Sequence, residues 1–247
     1  MLFRSDLLRA AIAASVAVVI TLVPYMIRGA WANLVQAVGR LATHDMLSAN
    51  ASNVWWIFTW ALRMVDVWHE SGAYRALTQQ VRILAISRAI ELGYPNPRVV
   101  GLVLVLAAIG CAVWRVRAAV SVANGFALAG FCAYAYALLA AQVHENHLYL
   151  AVPLFALAGA LDRRYRPIFW ATSAIVTLNL LLFAGLGRGL PWPIQRSWTG
   201  VDASVLLAFG SAAVFVFAAR ACFQRREMDS RSDVSSGPGR PPLQSAG

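Results

Sequence analysis

Long apolar runs alternate with short polar connections along most of this chain. At a helical rise of about 1.5 Å per residue, runs of such length suffice to cross the hydrocarbon core of a bilayer. The pattern predicts an all-α, polytopic membrane protein with about six transmembrane helices. The predicted spans are residues 10–27, 99–114, 118–141, 148–161, 167–186 and 201–223.

Residues 29–98 interrupt this pattern. They contain no charge-free run of spanning length, but they hold five tryptophans and several amphipathic stretches, which are typical of helices at a membrane surface. The stretch 54–68 starts as an apolar run, which Arg63 and Asp66 break after about nine residues. A second amphipathic stretch, 78–92, is predicted to end at Gly93. The segment is therefore predicted to consist of interfacial helices.

Composition supports a membrane location and excludes several functions. With 60% hydrophobic and 13% charged residues, a soluble domain would lack a polar surface. The net charge of +10 does not indicate a nucleic-acid partner, because the arginines lie at span ends and in the terminal tail instead of along one face. Three cysteines without paired spacing, Cys111, Cys132 and Cys222, predict neither a disulfide framework nor a zinc site.

Arginines in the short connections predict the orientation. They cluster on one side of the predicted spans, which the positive-inside rule makes cytoplasmic. The chain is therefore predicted to be a multi-pass protein of the cell membrane with both termini in the cytoplasm, an external segment 29–98 and a disordered tail 224–247. The arginines concerned are Arg4, Arg9, Arg115, Arg117, Arg163, Arg164, Arg166, Arg220, Arg225 and Arg226.

A polar segment, QVHENHLYL at 142–150, lies between two predicted spans on the external side. As a structural feature, its side chains would cap helix ends and contact lipid headgroups. As a functional one, His144 and Glu145 are catalytic candidates for proton transfer, and Asn146 and His147 are candidates for binding a phosphate-bearing substrate. Two histidines and one acid supply only a partial ligand set, so no metal site is predicted.

A second polar cluster, SANASNVWW at 48–56, precedes a tryptophan pair. One interpretation is a turn with a helix N-cap at Ser52 or Asn53. The other is a sugar-binding site, in which the amides of Asn50 and Asn53 bind hydroxyls and the face of Trp55 packs against the sugar ring. The sequence does not show whether this cluster meets the segment 142–150.

Four further polar residues lie in or near the predicted spans. Asn124 and Asn179 are predicted to form hydrogen bonds between helices. Arg188 and Arg196, in the last external loop, are predicted either to contact the phosphate of a substrate or to anchor the loop at the membrane interface.

Both polar segments resemble motifs of one family. VHEN, at 143–146, followed by HLYLAVPL, is similar to the VHEK-like segment of GT-C membrane glycosyltransferases that use dolichyl-phosphate sugars. SANASNVWW resembles the N-A-x-N-x-W segment of bacterial PIG-V-like mannosyltransferases. The resemblance covers residues 24–161, with His144 and Glu145 matching the HE pair and Asn146 standing where the dolichyl branch has lysine.

The resemblance implies a cofactor-independent membrane enzyme. It would transfer a hexose, with mannose as the first candidate, from a polyprenyl-phosphate donor on the external face to a lipid or glycan acceptor. The first external loop of the family, which carries the catalytic acid, has no match here, and the external acids Asp45, Asp66 and Glu70 lie outside any matching motif. The resemblance therefore implies a C-terminal portion of such an enzyme, with a separately encoded N-terminal half as a partner.

Two other functions remain open from the sequence. The chain is alternatively a non-catalytic membrane partner or carrier-lipid translocation component, in which the segment 142–150 recognises a phosphate without chemistry. It is alternatively a proton-coupled transporter in which His144 and Glu145 relay protons.

Overall fold

Ten α-helices follow one another through the part of the chain that the computed structural model describes, residues 2–42, 44–116, 121–184 and 201–224. The predicted all-α class is confirmed for these residues. Two short 3₁₀ helices, His147–Leu150 and Arg163–Tyr165, directly precede α8 and α9. The α-helices are α1 (Leu2–Ile27), α2 (Trp31–Ala42), α3 (Val54–Ser71), α4 (Ala73–Thr78), α5 (Ile86–Glu91), α6 (Pro97–Val116), α7 (Val122–Leu139), α8 (Ala151–Leu161), α9 (Arg166–Ala184) and α10 (Ala203–Phe223).

Four segments are long and apolar enough to cross a membrane: Pro97–Val116, Val122–Leu139, Arg163–Phe183 and Ala203–Phe223. They correspond to the predicted spans 99–114, 118–141, 167–186 and 201–223. The other two predicted spans, 10–27 and 148–161, are also helical, but their apolar helices, Val18–Ile27 and His147–Leu161, are shorter. A membrane protein with four span-capable helices is therefore the architecture among the described residues.

The chain divides into two compact units after Asp45. The first unit contains α1, which includes Pro24, and α2, which is amphipathic and carries Arg40 in its last turn. The second unit contains α3 to α10 and all the residues discussed below, apart from Asp45.

In the second unit, α7 occupies a central position because it contacts α6, α8 and α10. The core around α7 includes Phe131 and Tyr134 of α7 and Phe155 of α8, whose side chains are at most 4% exposed. The C-terminal parts of α7 and α9 lie at the same end of the bundle, where the Asn179 amide contacts the Glu145 carbonyl. The segment His147–Leu161 must therefore carry the chain from this end to the opposite end, where α9 begins.

Part of the segment 29–98 differs from its prediction. The stretch 54–68 is continuous helix within α3, past Arg63 and Asp66. The prediction of one amphipathic stretch over 78–92 was wrong, because residues 79–85 are not helical. Their backbone bonds elsewhere: the Val81 N–H donates to Asp202 Oδ2 at 2.9 Å, and the Leu84 carbonyl accepts from the Leu47 N–H at 2.8 Å.

Gly101 allows α6 to touch the turn that follows α7. A Cβ at this position would lie 2.9 Å from both the Ala141 nitrogen and the Leu139 carbonyl oxygen. Because both neighbours are backbone atoms, Gly101→Ala is expected to displace the turn and to lower the free energy of unfolding by about 2 kcal/mol. The measurement is thermal unfolding in detergent.

Gly110 on the same helix provides the control. No atom lies within 4 Å of a Cβ built there, so Gly110→Ala should leave stability unchanged or raise it slightly through higher helix propensity. Equal melting temperatures for the two variants would contradict the proposed contact.

Candidate functional site

The two polar segments lie side by side. We call residues 48–53 the asparagine loop and residues 142–147 the histidine turn. The Ala49 N–H donates to the Val143 carbonyl at 2.9 Å, and Ala49 and His144 form an isolated parallel β-bridge. The Gln142 N–H donates to the Leu47 carbonyl at 3.1 Å. Segments almost a hundred residues apart in sequence therefore form one site.

The side chain of Asn179, on α9, connects the two segments. Its Oδ1 accepts from the Ser52 N–H at 3.0 Å and from the Ser52 hydroxyl. Its Nδ2 donates to the Asn50 carbonyl at 3.2 Å and to the Glu145 carbonyl at 3.4 Å. Asn179 is 3% exposed, so both ends of its amide are used inside the protein.

This arrangement corrects the prediction for Asn179, whereas Asn124, on α7, bonds as predicted to another helical segment, Arg163–Phe183. Asn179 bonds to two loops, not to a neighbouring helix. At the opposite end of the bundle, the Asn124 Oδ1 accepts from the Tyr165 hydroxyl at 2.5 Å and from Arg164 at 3.3 Å, and both partners belong to a 3₁₀ helix. Each amide thus fixes an irregular connection to the bundle.

Residues at the start of α3 hold the asparagine loop in place. Asn53 is the N-cap, and its Oδ1 accepts from the Trp56 N–H at 3.0 Å, as one of the two interpretations predicted. Trp55 is 8% exposed, and its indole N–H donates to the Leu139 carbonyl at 2.7 Å. Most of its ring surface is therefore packed in the core, which leaves little of it for stacking on a sugar.

Two residues of the site have left-handed backbone conformations. Asn50 has φ +59° and Gln142 has φ +64°. Asparagine tolerates this conformation better than most residues, whereas an unbranched side chain such as glutamine adopts it at an energetic cost. Each residue reverses the chain next to the contact between Ala49 and Val143.

A small cavity lies between the two segments and the bundle. The space available to the centre of a water molecule is about 10 Å³, which is room for about one water. Within the described ranges, Glu145 is the only carboxylate among the residues that line this cavity. On the side of the bundle, the Tyr134 hydroxyl donates to the Ser211 carbonyl at 2.9 Å. The other polar residues of the lining are Ser52, His144 and Asn179.

The histidine turn fixes the ring of His147. Its Nδ1 accepts from the His144 N–H at 3.0 Å, which in the neutral ring leaves the proton on Nε2. The His144 and His147 rings stack with centroids 5.8 Å apart, and Tyr136 packs edge-on against His147 at 5.7 Å. Asn146 is exposed. The turn therefore presents two imidazoles and one carboxylate at the end of the bundle.

Asp202 is an important residue that the sequence did not indicate. It is fully buried, and its Oδ1 accepts from the Ser204 N–H at 2.9 Å and the Ser204 hydroxyl at 2.6 Å. Ser204 Oγ in turn accepts from the Trp56 indole N–H at 2.8 Å. Together with the bond from Val81, Asp202 links the start of α10 to α3 and to residues 79–85. The available signal was an aspartate at the second position of the predicted span 201–223, because aspartate near the start of a helix is a typical N-cap.

Other predicted residues are not among those that line the cavity, or they lie outside the described ranges. Asp66 and Glu70 follow the start of α3 by about 18 and 24 Å along the helix, and Asp45 belongs to the first unit. Arg188, Arg196 and residues 225–247 lie outside the described part of the chain. Within the described residues, no group of three or more histidine, cysteine, aspartate or glutamate side chains could hold a metal.

Comparisons with known proteins returned no relative. No protein-family model matches the chain, and neither the curated proteins nor the solved structures contain a match.

Proposed function

We propose that this chain is an integral membrane glycosyltransferase, or the C-terminal part of one, that transfers a hexose from a polyprenyl-phosphate donor. The observation that supports this proposal best is the contact between the asparagine loop and the histidine turn through Asn179. These are the two segments that resemble GT-C motifs, and a shared site gives a physical reason for both to be present in one chain.

The groups around the cavity suit the chemistry of glycosyl transfer. The acceptor hydroxyl attacks the anomeric carbon of the donor, the bond from that carbon to the phosphate oxygen breaks, and the phosphate leaves with the electron pair. In this proposal Glu145 takes the proton of the acceptor hydroxyl, because it is the only carboxylate among the described residues that line the cavity. His144 and His147 donate hydrogen bonds to the phosphate as its charge increases.

The remaining predicted contacts fit less directly. Asn50 meets Asn179 through its backbone carbonyl, and Asn53 and Trp55 are used in capping and packing. In the proposal these three residues shape the asparagine loop, while Asn146, which is exposed, contacts the substrate. A cavity with room for about one water requires the loop and the turn to separate when a sugar binds.

The proposed orientation places this site on the external face of the cell membrane. Several arginines lie at the end of the bundle opposite the histidine turn, and the positive-inside rule places such an end in the cytoplasm. In this proposal the six predicted crossings hold, so that both termini are cytoplasmic. The arginines are Arg115, Arg163, Arg164, Arg166 and Arg220.

The test is a transfer assay in proteoliposomes that contain polyprenyl-phosphate mannose and a lipid acceptor. Glu145→Gln is expected to lower the transfer rate about 100-fold or more through loss of the base, with donor binding retained. His144→Ala is expected to weaken donor binding. Glu70→Gln, at an exposed glutamate far along α3, is the control and should leave transfer unchanged.

A non-catalytic role in binding carrier lipids is the second candidate, and the small volume of the cavity favours it. The same assay separates the two. The wild-type chain is assayed alone and together with a separately encoded N-terminal half. If it binds the donor in both cases but transfers no sugar, the chain is a carrier-lipid component and not an enzyme. Transfer that is equal in the wild type and Glu145→Gln would overturn the role of Glu145.

A further inference from the structure

One face of α3 carries two hydrogen-bond donors that the site above does not use. Trp56, Trp60 and Arg63 follow one another at intervals of four and three residues, so they lie on the same side of the helix. Trp56 packs edge-on against Phe183 of α9 at 5.5 Å, and Trp60 packs edge-on against Phe209 of α10 at 6.3 Å. This face of α3 is therefore directed at the bundle.

The two donors are buried and without a partner. The Trp60 Nε1 and the Arg63 Nε are inaccessible to water and form no hydrogen bond within the described part of the chain. Asp66, one turn further along α3, forms no ion pair with Arg63 among the described residues. A buried N–H without a partner costs about 1–3 kcal/mol. Two such groups one turn apart indicate a ligand that accepts from both.

The chemistry of the donors restricts this ligand. An indole N–H only donates, and a guanidinium donates and carries a permanent positive charge. The matching ligand is therefore an anion with several acceptor oxygens. Because α3 packs here against α10, a span-capable helix, the ligands within reach are membrane lipids.

We propose that Trp60 and Arg63 bind the phosphate of an anionic lipid headgroup where α3 packs against α10, after a local side-chain movement exposes their two N–H groups. Neither residue lines the cavity beside Asn179, so this site is separate from the proposed active site and does not depend on it. A glycerophospholipid and a polyprenyl phosphate both supply such a phosphate, and the experiment distinguishes these two sources.

The experiment uses the full chain in nanodiscs of phosphatidylcholine, with a minor fraction of either phosphatidylglycerol or polyprenyl phosphate. Native mass spectrometry then measures the anionic lipid that each chain retains. We expect Arg63→Gln to lower retention at least about tenfold, which corresponds to the loss of one charge-assisted hydrogen bond. Trp60→Phe keeps the aromatic packing, removes the N–H and is expected to lower retention several-fold.

Arg75→Gln is the matched control, because it removes the same charge from an exposed position on α4. It should retain the lipid as the wild type does. Retention of either lipid with loss in Arg63→Gln and Trp60→Phe supports the site and identifies the source of the phosphate. Absence of retained anionic lipid, or equal losses in Arg63→Gln and Arg75→Gln, would overturn it. Trp60→Phe preserves the test if Arg63→Gln does not fold.

Discussion

Asn179→Ala is expected to separate the asparagine loop from the histidine turn and to lower the free energy of unfolding by about 3 kcal/mol. The substitution removes the acceptor of the Ser52 N–H and hydroxyl, and also the donor to the carbonyls of Asn50 and Glu145. These groups are held in a buried site, where unpaired donors and acceptors cost most. Hydrogen exchange at the Ser52 amide, measured together with thermal unfolding, reports both effects.

Two further variants make this expectation specific. Asn179→Asp keeps the shape and the acceptor for Ser52, but it places carboxylate oxygen next to two carbonyl oxygens, so it should be at least as destabilising as alanine. Thr177→Ala, at an exposed position on the same helix, should change stability by less than about 0.5 kcal/mol. Unchanged protection of the Ser52 amide in Asn179→Ala would show that the loop does not depend on this side chain.

Asp202→Ala has the second large expected effect, a loss of about 3 kcal/mol of stability. The carboxylate of Asp202 accepts from the N–H and hydroxyl of Ser204 and from the Val81 N–H, and it is fully buried. Without it, the first turn of α10 loses its cap and residues 79–85 lose their attachment. Hydrogen exchange at the Val81 amide should therefore accelerate together with the fall in melting temperature.

Asp202→Asn and Ser121→Ala are the comparisons for this variant. Asparagine keeps an acceptor for Ser204 and loses the one for Val81, so about half of the effect is expected. Ser121 caps α7 from an exposed position, where its hydroxyl oxygen accepts from the Asn124 N–H, so Ser121→Ala should cost about 1 kcal/mol. If Asp202→Ala loses no more stability than Ser121→Ala, Asp202 acts only as an ordinary helix cap.

The helices of this chain were largely predictable, because hydrophobic runs and local caps determine them. The four span-capable helices agree with four predicted spans to within a few residues. The N-cap at Asn53 is a local contact, because the Asn53 side chain accepts from the N–H of Trp56, three residues later. The segment 79–85 escaped prediction because its amphipathic pattern favours a helix. Its backbone instead bonds to Asp202 and Leu47, which are distant in sequence.

The site was predictable only in its parts. His144 and Glu145 stood out as polar residues between apolar runs, and both line the cavity. What joins them to the asparagine loop is the amide of Asn179, whose bond to Ser52 spans 127 positions. Neither the spacing of residues nor the composition of the chain predicts such a contact. Burial of the Trp55 ring against the turn after α7 depends on the same long-range packing.

The segment His147–Leu161, which connects the two ends of the bundle, is short relative to the thickness of a bilayer. Four residues of 3₁₀ helix and the eleven of α8 extend about 24 Å, whereas the hydrocarbon layer of a typical bilayer is about 30 Å thick. A bilayer adapts to such hydrophobic mismatch by thinning next to the short segment. In the proposed six-span arrangement, the acyl chains beside α8 would therefore be compressed, and a thicker membrane would make this adaptation more costly.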